Sequence, residues 1–229
     1  MASEETTPEE TVAPDRLAVA TSSLTSRAYE RLEELIVTLR LKPGQILSES
    51  FLVAELQIGR TPVREALQRL AFEGLVVILP RRGVLVSEID LGQQLRLLEV
   101  RREIERLVAR KAASRADEAE REAFSTLAEG LARAAQEDDA AAFMQLDLRF
   151  NRMTLAAARN DYATRTMRLM QGLSRRFWYR HYRETLDLER CADLHRAVAE
   201  AIAAGEPEAA AAASDLLLDY IAEFSRATI

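Results

Sequence analysis

A single cysteine, Cys191, in 229 residues leaves no partner for an internal disulfide. Nothing therefore ties the fold to an oxidising compartment, and the cytoplasm is the expected setting. Histidine is almost as scarce. With only His181 and His195 present, no nucleophile–base triad can be assembled, and none of the 8 glycines falls in a phosphate-cradling loop, so an enzyme is not expected. No apolar run approaches the roughly 20 residues a membrane helix needs. The first residues, MASEETTPEETVAPD, lack a basic stretch leading into an apolar one, which argues against a secretory signal. Positive charge is also short overall, at a formal net −6, which spread evenly would disfavour a nucleic-acid partner.

The charge is not spread evenly. An acidic stretch over residues 1–21, with few large apolar residues and no periodicity, reads as a disordered tail. Residues 60–82, by contrast, hold Arg60, Arg64, Arg69, Arg81 and Arg82 against only Glu65 and Glu73. Binding to DNA needs positive charge on one surface and not over the whole.

Ordered pattern begins at TSRAYERLEELIVTLR, where Ala28, Leu32, Leu35, Ile36 and Leu39 recur at helical spacing. Pro43 and Gly44 break that helix. Ser48 or Ser50 can cap a short second helix, and Thr61-Pro62 reads as the cap and first residue of a third, running to about Phe72 and stopped by Gly74. Then the period changes from 3.6 to 2: LVVIL, a PRR turn and GVLVSEI form a two-stranded hairpin. Short helices about a tight turn followed by a hairpin make a winged helix-turn-helix, expected over residues 22–89.

Such a unit meets one duplex in two places. The first turn of the third helix carries Arg60, Thr61 and Arg64, suited to base edges and phosphates in the major groove. Arg81 and Arg82 at the hairpin tip can enter a flanking minor groove or track the backbone, Gly83 permits close approach, and Arg69 adds charge further along the helix.

From residue 90 to 229 the periodicity is helical throughout, with stretches from Leu91 and around 117–136, 139–157, 161–185, 189–204 and 207–226. The expected class is mainly α: an N-terminal winged helix-turn-helix and a C-terminal all-helical bundle large enough to enclose a cavity.

The string RTPVREALQRLAFEGLV followed by RRGVLV resembles the GntR-type transcriptional regulators. By that resemblance Arg60, Thr61, Arg64 and Gly83 take operator-contacting positions. Gly59 stands where the family usually has serine, and Ser50 where a basic or amide residue often follows the helix-2 glutamate. LLEVRREIERLVARKAA, LDLRFNRMTLAAARN and DLHRAVAEAIAAGEPEAA are similar to the FadR-type branch, with its all-helical FCD-like effector domain. The resemblance implies a homodimeric repressor that reads a short palindromic double-stranded operator and answers to a small organic acid. It also implies a divalent metal held by an Asp, a His four residues on and two later histidines. Here Asp147 and His195 are present, but Asn151 and Leu217 occupy the other two places. A weak site of Asp147 and His195, with Asn151 as a further oxygen donor, is what would be left, and Cys191 lies one turn before His195. The expected acid-binding set is Arg101, Asp147, Asn151, His195 and Arg176, with Asp147 either accepting from a hydroxyl or amine of the ligand or pairing with Arg101 when the pocket is empty. A metal- or redox-responsive regulator built on Asp147, His195 and Cys191 is the alternative.

Overall fold

The computed structural model describes residues 16–185 and 187–228. In chain order the elements are α1 (Arg16–Val37), β1 (Ile46–Leu47), α2 (Glu49–Leu56), α3 (Arg60–Phe72), β2 (Val76–Leu79) and β3 (Gly83–Val86). Six helices follow: α4 (Leu91–Arg115), α5 (Glu118–Gln136), α6 (Ala140–Ala158), α7 (Asp161–Thr185), α8 (Leu188–Ala204) and α9 (Pro207–Arg226). The mainly-α architecture with a small wing is the one expected. Of the expected tail, residues 1–15 lie outside the described residues, whereas 16–21 belong to α1. Leu17, Ala18 and Ala20 are good helix formers, so the helix runs back beyond its amphipathic stretch.

Ala28, Leu32, Leu35 and Ile36 of α1 are buried against Val63, Ala66, Leu67 and Leu70 of α3, which seats α3 with its other face outward. Leu39 falls past the end of α1 in a left-handed conformation, φ 59°. Ser48 caps α2 by accepting from the Phe51 amide. The cap of α3 is not Thr61 but Gly59, whose extended backbone (φ −60°, ψ 162°) opens the helix at Arg60. Pro62 still lies in the first turn, where amides have no helical partner to lose.

The hairpin is part of a three-stranded antiparallel sheet in the order β1-β3-β2, with Leu47 opposite Val84 and Leu79 opposite Gly83. Two residues of β1 were too few to show a period in the sequence. Pro80 and Arg81 turn the chain between β2 and β3. Positive φ at Arg81 (61°) and the Arg82 amide on the Leu79 carbonyl at 3.0 Å make a type II turn. Gly83 has a structural task distinct from approach to a duplex. Its φ is 105°, and a Cβ there would run into the Leu47 carbonyl oxygen of β1. Gly83→Ala is expected to lower stability by on the order of 2–3 kcal/mol through backbone strain and displacement of β1, measurable by chemical denaturation. A loss below about 0.5 kcal/mol would show that the wing tolerates a β1 shift.

The helical domain has its own apolar core, in which α4 packs along α9 and α5 along α8. Sequence-legible caps separate the helices: the Asp117–Glu120 capping box of α5, Asp139 before α6, Asn160 before α7 and Asp187 before α8. No helix among the described residues is long and apolar enough to cross a membrane. The two cores meet at α7, where Leu173 packs against the first cluster.

Candidate nucleic-acid interface and ligand cavity

Arg60, Thr61 and Arg64 are exposed on the first turn of α3, and Arg81 and Arg82 are exposed at the wing tip. Arg64 does not hang free. Its Nη2 and Nε donate to the two Glu49 carboxylate oxygens at 2.9 and 3.3 Å, which holds the guanidinium above its ordinary pKa and fixes its direction from α2. Nη1 donates no hydrogen bond among the described residues. Ser50, beside Glu49, is exposed and its hydroxyl sits 3.0 Å from that of Ser48.

Arg69 is placed elsewhere. Three residues before the end of α3, its guanidinium lies 3.6 Å above the Tyr29 ring of α1 and donates to Glu73 at 3.1 Å. Tyr29 in turn donates to Glu73 at 2.7 Å. Burial, seconded by Glu33 and Glu73, pushes the Tyr29 phenol upward, so it stays a donor. Arg69 thus clamps α1 to α3 through Tyr29 and Glu73 while its side chain stays exposed.

In the second domain, five helices each present one stripe to a cavity of about 70 Å³. Gln94, Arg101 and Glu105 come from α4; Phe143, Asp147, Phe150 and Asn151 from α6; Gln171, Ser174, Arg175 and Trp178 from α7; Cys191 and His195 from α8; and Leu217, Ile221 and Phe224 from α9. Most separations within each set are three, four or seven residues, as one helix face requires, and the adjacent pairs Phe150/Asn151 and Ser174/Arg175 widen the stripe. The sequence reading reached Arg101, Asp147, Asn151 and His195, which the fold brings together. It missed Gln94, Gln171, Ser174 and Arg175, although the 171/174/175/178 spacing on α7 was there to be read.

Arg176 does not belong to this cavity. One residue on from Arg175 it is rotated about 100°, and it points toward the junction between the domains. There it is 2% exposed and donates to the Ser87 and Glu88 carbonyls at 2.8 and 3.0 Å. Nor does Arg101 pair with Asp147. Its Nε donates to Glu105 at 2.5 Å and its Nη1 to the Ser174 hydroxyl, while Ser174 also accepts from Gln94 at 3.2 Å. Asp147 instead faces His195 Nε2 at 3.2 Å and accepts from the Asn151 amide at 2.9 Å.

The His195 Nδ1 lies 2.8 Å from the Cys191 carbonyl, an acceptor only, so that nitrogen carries a proton. With Nε2 against a carboxylate, the ring is an imidazolium. Burial opposes both charges, but the pairing prevails: the Asp147 carboxyl is held below its ordinary 3.8 and His195 well above 6.5. The edges of Phe143 and Phe150 close on the ring with centroids 5.3 and 5.4 Å away.

A transition metal is a poor match to this donor set. His195 has both nitrogens engaged, Asn151 turns its NH2 toward Asp147, and Leu217 supplies no lone pair. Cys191 is buried with its sulfur 3.9 Å from Nδ1. Among the described residues no group of three or more His, Cys, Asp or Glu side chains can hold a metal ion. The metal- and redox-responsive alternative therefore finds no support here.

The ion pair carries its own prediction. Asp147 contributes stability above about pH 3.8, lost as pH falls through its lower folded value; His195 contributes below 6.5, lost as pH rises through its higher folded value. Asp147→Asn is thus expected to lower stability by on the order of 2 kcal/mol between those pH values, with the gap to wild type narrowing at alkaline pH. Thermal melts across pH check it, and a gap that widens toward alkaline pH would contradict the imidazolium.

An exposed cationic helix start beside a cationic wing, joined to a helical domain whose cavity mixes aromatic and charged side chains, is the architecture of a two-domain bacterial regulator. The FCD domain pattern matches residues 96–220, and that described as "Bacterial regulatory proteins, gntR family" matches residues 24–86. The chain belongs to the GntR family, in the branch that carries an FCD domain. It is 38% identical over 94 residues, 41% of each chain, to the HTH-type transcriptional repressor RspR of Escherichia coli K12. It is 48% identical over 62 residues, 27% of this chain and 26% of the other, to an HTH-type transcriptional regulator in an unstable DNA locus of Streptomyces ambofaciens. The chain thus spans about a quarter to two-fifths of the length of these curated relatives. Among solved structures, E. coli McbR/YncC superposes with a TM-score of 0.75 at 20% identity over 89% of this chain and 98% of the other. A GntR regulator from Rhodococcus sp. RHA1 follows at 0.62 and 23% identity, over 90% and 97%. At such identities the likeness is one of fold.

Proposed function

We propose that the chain is a ligand-responsive transcriptional regulator of the cytoplasm that binds a short palindromic double-stranded operator as a homodimer. A small carboxylate in the helical cavity would alter its affinity for that DNA. The carrying observation is the joint presentation of Arg60, Thr61 and Arg64 on α3 and of Arg81 and Arg82 on the wing, all exposed. The α3 arginines suit guanine edges in a major groove, and the wing pair suits phosphates or the adjoining minor groove. Two-fold pairing of such units would read half-sites about one helical turn apart. The relative RspR is a repressor by name, which supports repression as the basal mode. A ligand acts by binding the DNA-competent and DNA-incompetent arrangements with different affinities.

The test is selection of bound duplexes from a random pool by the full-length chain, followed by competition with small organic acids. An enriched sequence with dyad symmetry, released or tightened by one of the acids, supports the reading. Enrichment without symmetry refutes the dimeric mode, and no enrichment refutes specific readout.

A further inference from the structure

We propose that Arg175 is the residue that receives an anionic ligand in the helical cavity, and that it is shared with Glu33 of the DNA-binding unit. An anion in the cavity then competes directly with that unit for one guanidinium. The inference rests on the reading that the cavity takes a small carboxylate, and it replaces Arg101 as the docking cation.

The pocket's charges are already matched in pairs, with one loose member. Arg101 is committed to Glu105 at 2.5 Å and to Ser174, and His195 to Asp147 at 3.2 Å. Arg175 lines the same cavity, yet its guanidinium donates no hydrogen bond among the described residues. Its nearest carboxylate there is Glu33 of α1, at 3.8 Å from Nη1. That is an electrostatic contact that leaves the donors of the planar fork open for a ligand carboxylate at hydrogen-bonding distance.

Glu33 has more to lose. It is largely buried where α1 meets α7; burial pushes its carboxyl up, and Arg175 is the first group that pulls it back. Its Oε1 sits so near Gly172 that a Cβ there would come within 3.2 Å, and the same glycine leaves room for Leu75 of the wing domain. Leu173 packs into the DNA-binding unit's core. One turn of α7, residues 172–175, thus faces the DNA-binding domain on one side and the cavity on the other. Since α1 seats α3, a guanidinium drawn inward by a ligand removes the counter-charge of Glu33 at the contact that orients the recognition helix.

The cavity also suggests the body that carries the carboxylate. Phe143, Phe150, Phe177, Trp178 and Phe224 line it, which favours a flat apolar ring over a hydroxylated chain. Trp178 is the one tryptophan in the chain, so its fluorescence reports occupancy directly.

The experiment titrates benzoate, and benzamide as its uncharged counterpart, into the full chain while following Trp178 fluorescence. Wild type, Arg175→Gln, Arg175→Lys and Glu33→Gln are compared, each first shown to be folded by its thermal melt. Benzoate is expected to bind wild type more tightly than benzamide. Arg175→Gln should lose roughly tenfold or more of benzoate affinity with benzamide unchanged, and Arg175→Lys should restore part of it. Glu33→Gln, which lies on α1 outside the cavity lining, should raise benzoate affinity about fivefold by freeing the guanidinium. Unchanged benzoate affinity in Glu33→Gln overturns the sharing, and equal binding of benzoate and benzamide overturns Arg175 as the anion's partner. Silence of Trp178 to both compounds at millimolar concentration overturns the ligand-cavity reading and this proposal with it. If Arg175→Gln alone fails to fold, the Arg175→Lys and Glu33→Gln pair decides.

Discussion

Replacing Arg64 with alanine is expected to weaken specific operator binding by on the order of 1–3 kcal/mol, or roughly tenfold to a hundredfold, and to relax the preference at one base pair of each half-site. The structural reason is the Glu49 clamp. A free arginine on a helix would surrender much side-chain entropy on docking, about 2 kcal/mol at most. Here Nε and Nη2 are already anchored to α2, so the remaining edge is presented in one direction. Arg81→Ala at the wing should behave differently. It is expected to weaken binding to all sequences alike and to reduce the salt slope by about one, as loss of a phosphate contact does. Binding measured on operator and on scrambled duplex at two salt concentrations separates the cases. A uniform loss for Arg64→Ala would assign it to phosphate and overturn the base-reading role.

That contrast also shows what could be read in advance. The helix boundaries of the second domain follow from caps and breaks that act locally: Asp117, Asp139, Asn160 and Asp187 each satisfy amides within three residues of themselves. The cavity set was legible in part through the resemblance to the FadR-type branch, which implies Arg101, Asp147, Asn151 and His195. The four-residue spacings Asp147–Asn151 and Cys191–His195 fall on common helix faces, as that set requires. Partner choice was not legible. Whether Arg101 meets Asp147 or Glu105 depends on how α4 and α6 are rotated about their axes, a matter of tertiary packing. The exchange of Arg175 for Arg176 has the same origin: one residue separates a side chain lining the cavity from one inserted between domains. Arg69 looked like one more cation in a basic stretch, because nothing local announces that Tyr29, forty residues earlier, lies beneath it. Two-residue β1 left no period at all, yet its Leu47 carbonyl oxygen is what a side chain at position 83 would meet.

Arg176 carries the other large expected effect, and it bears on how the halves of the molecule communicate. It is among the largest fully buried side chains, 2% exposed, and burial pushes its guanidinium down to about 10 while leaving it charged at neutral pH. Nε finds no partner among the described residues, and the two bonds from Nη1 and Nη2 to the Ser87 and Glu88 carbonyls compensate for taking this cation out of water. Those carbonyls belong to the short connection between β3 and α4. Truncation to alanine should leave a large void where this buried side chain stood, lowering stability by about 3–5 kcal/mol. Methionine is the more informative substitution. It refills most of the volume and removes the desolvation penalty, and the exposed side of the connection lets water reach the freed carbonyls. Arg176→Met should therefore lose only about 1 kcal/mol in a thermal melt. The connection should nevertheless become accessible to proteolysis, and a cavity ligand should no longer alter DNA affinity. If Arg176→Met melts as low as the alanine variant, the arginine acts through its bonds and not its bulk. If it keeps full ligand response, α7 communicates with the winged domain through residues 172–175 alone, and the pinned connection is only structural.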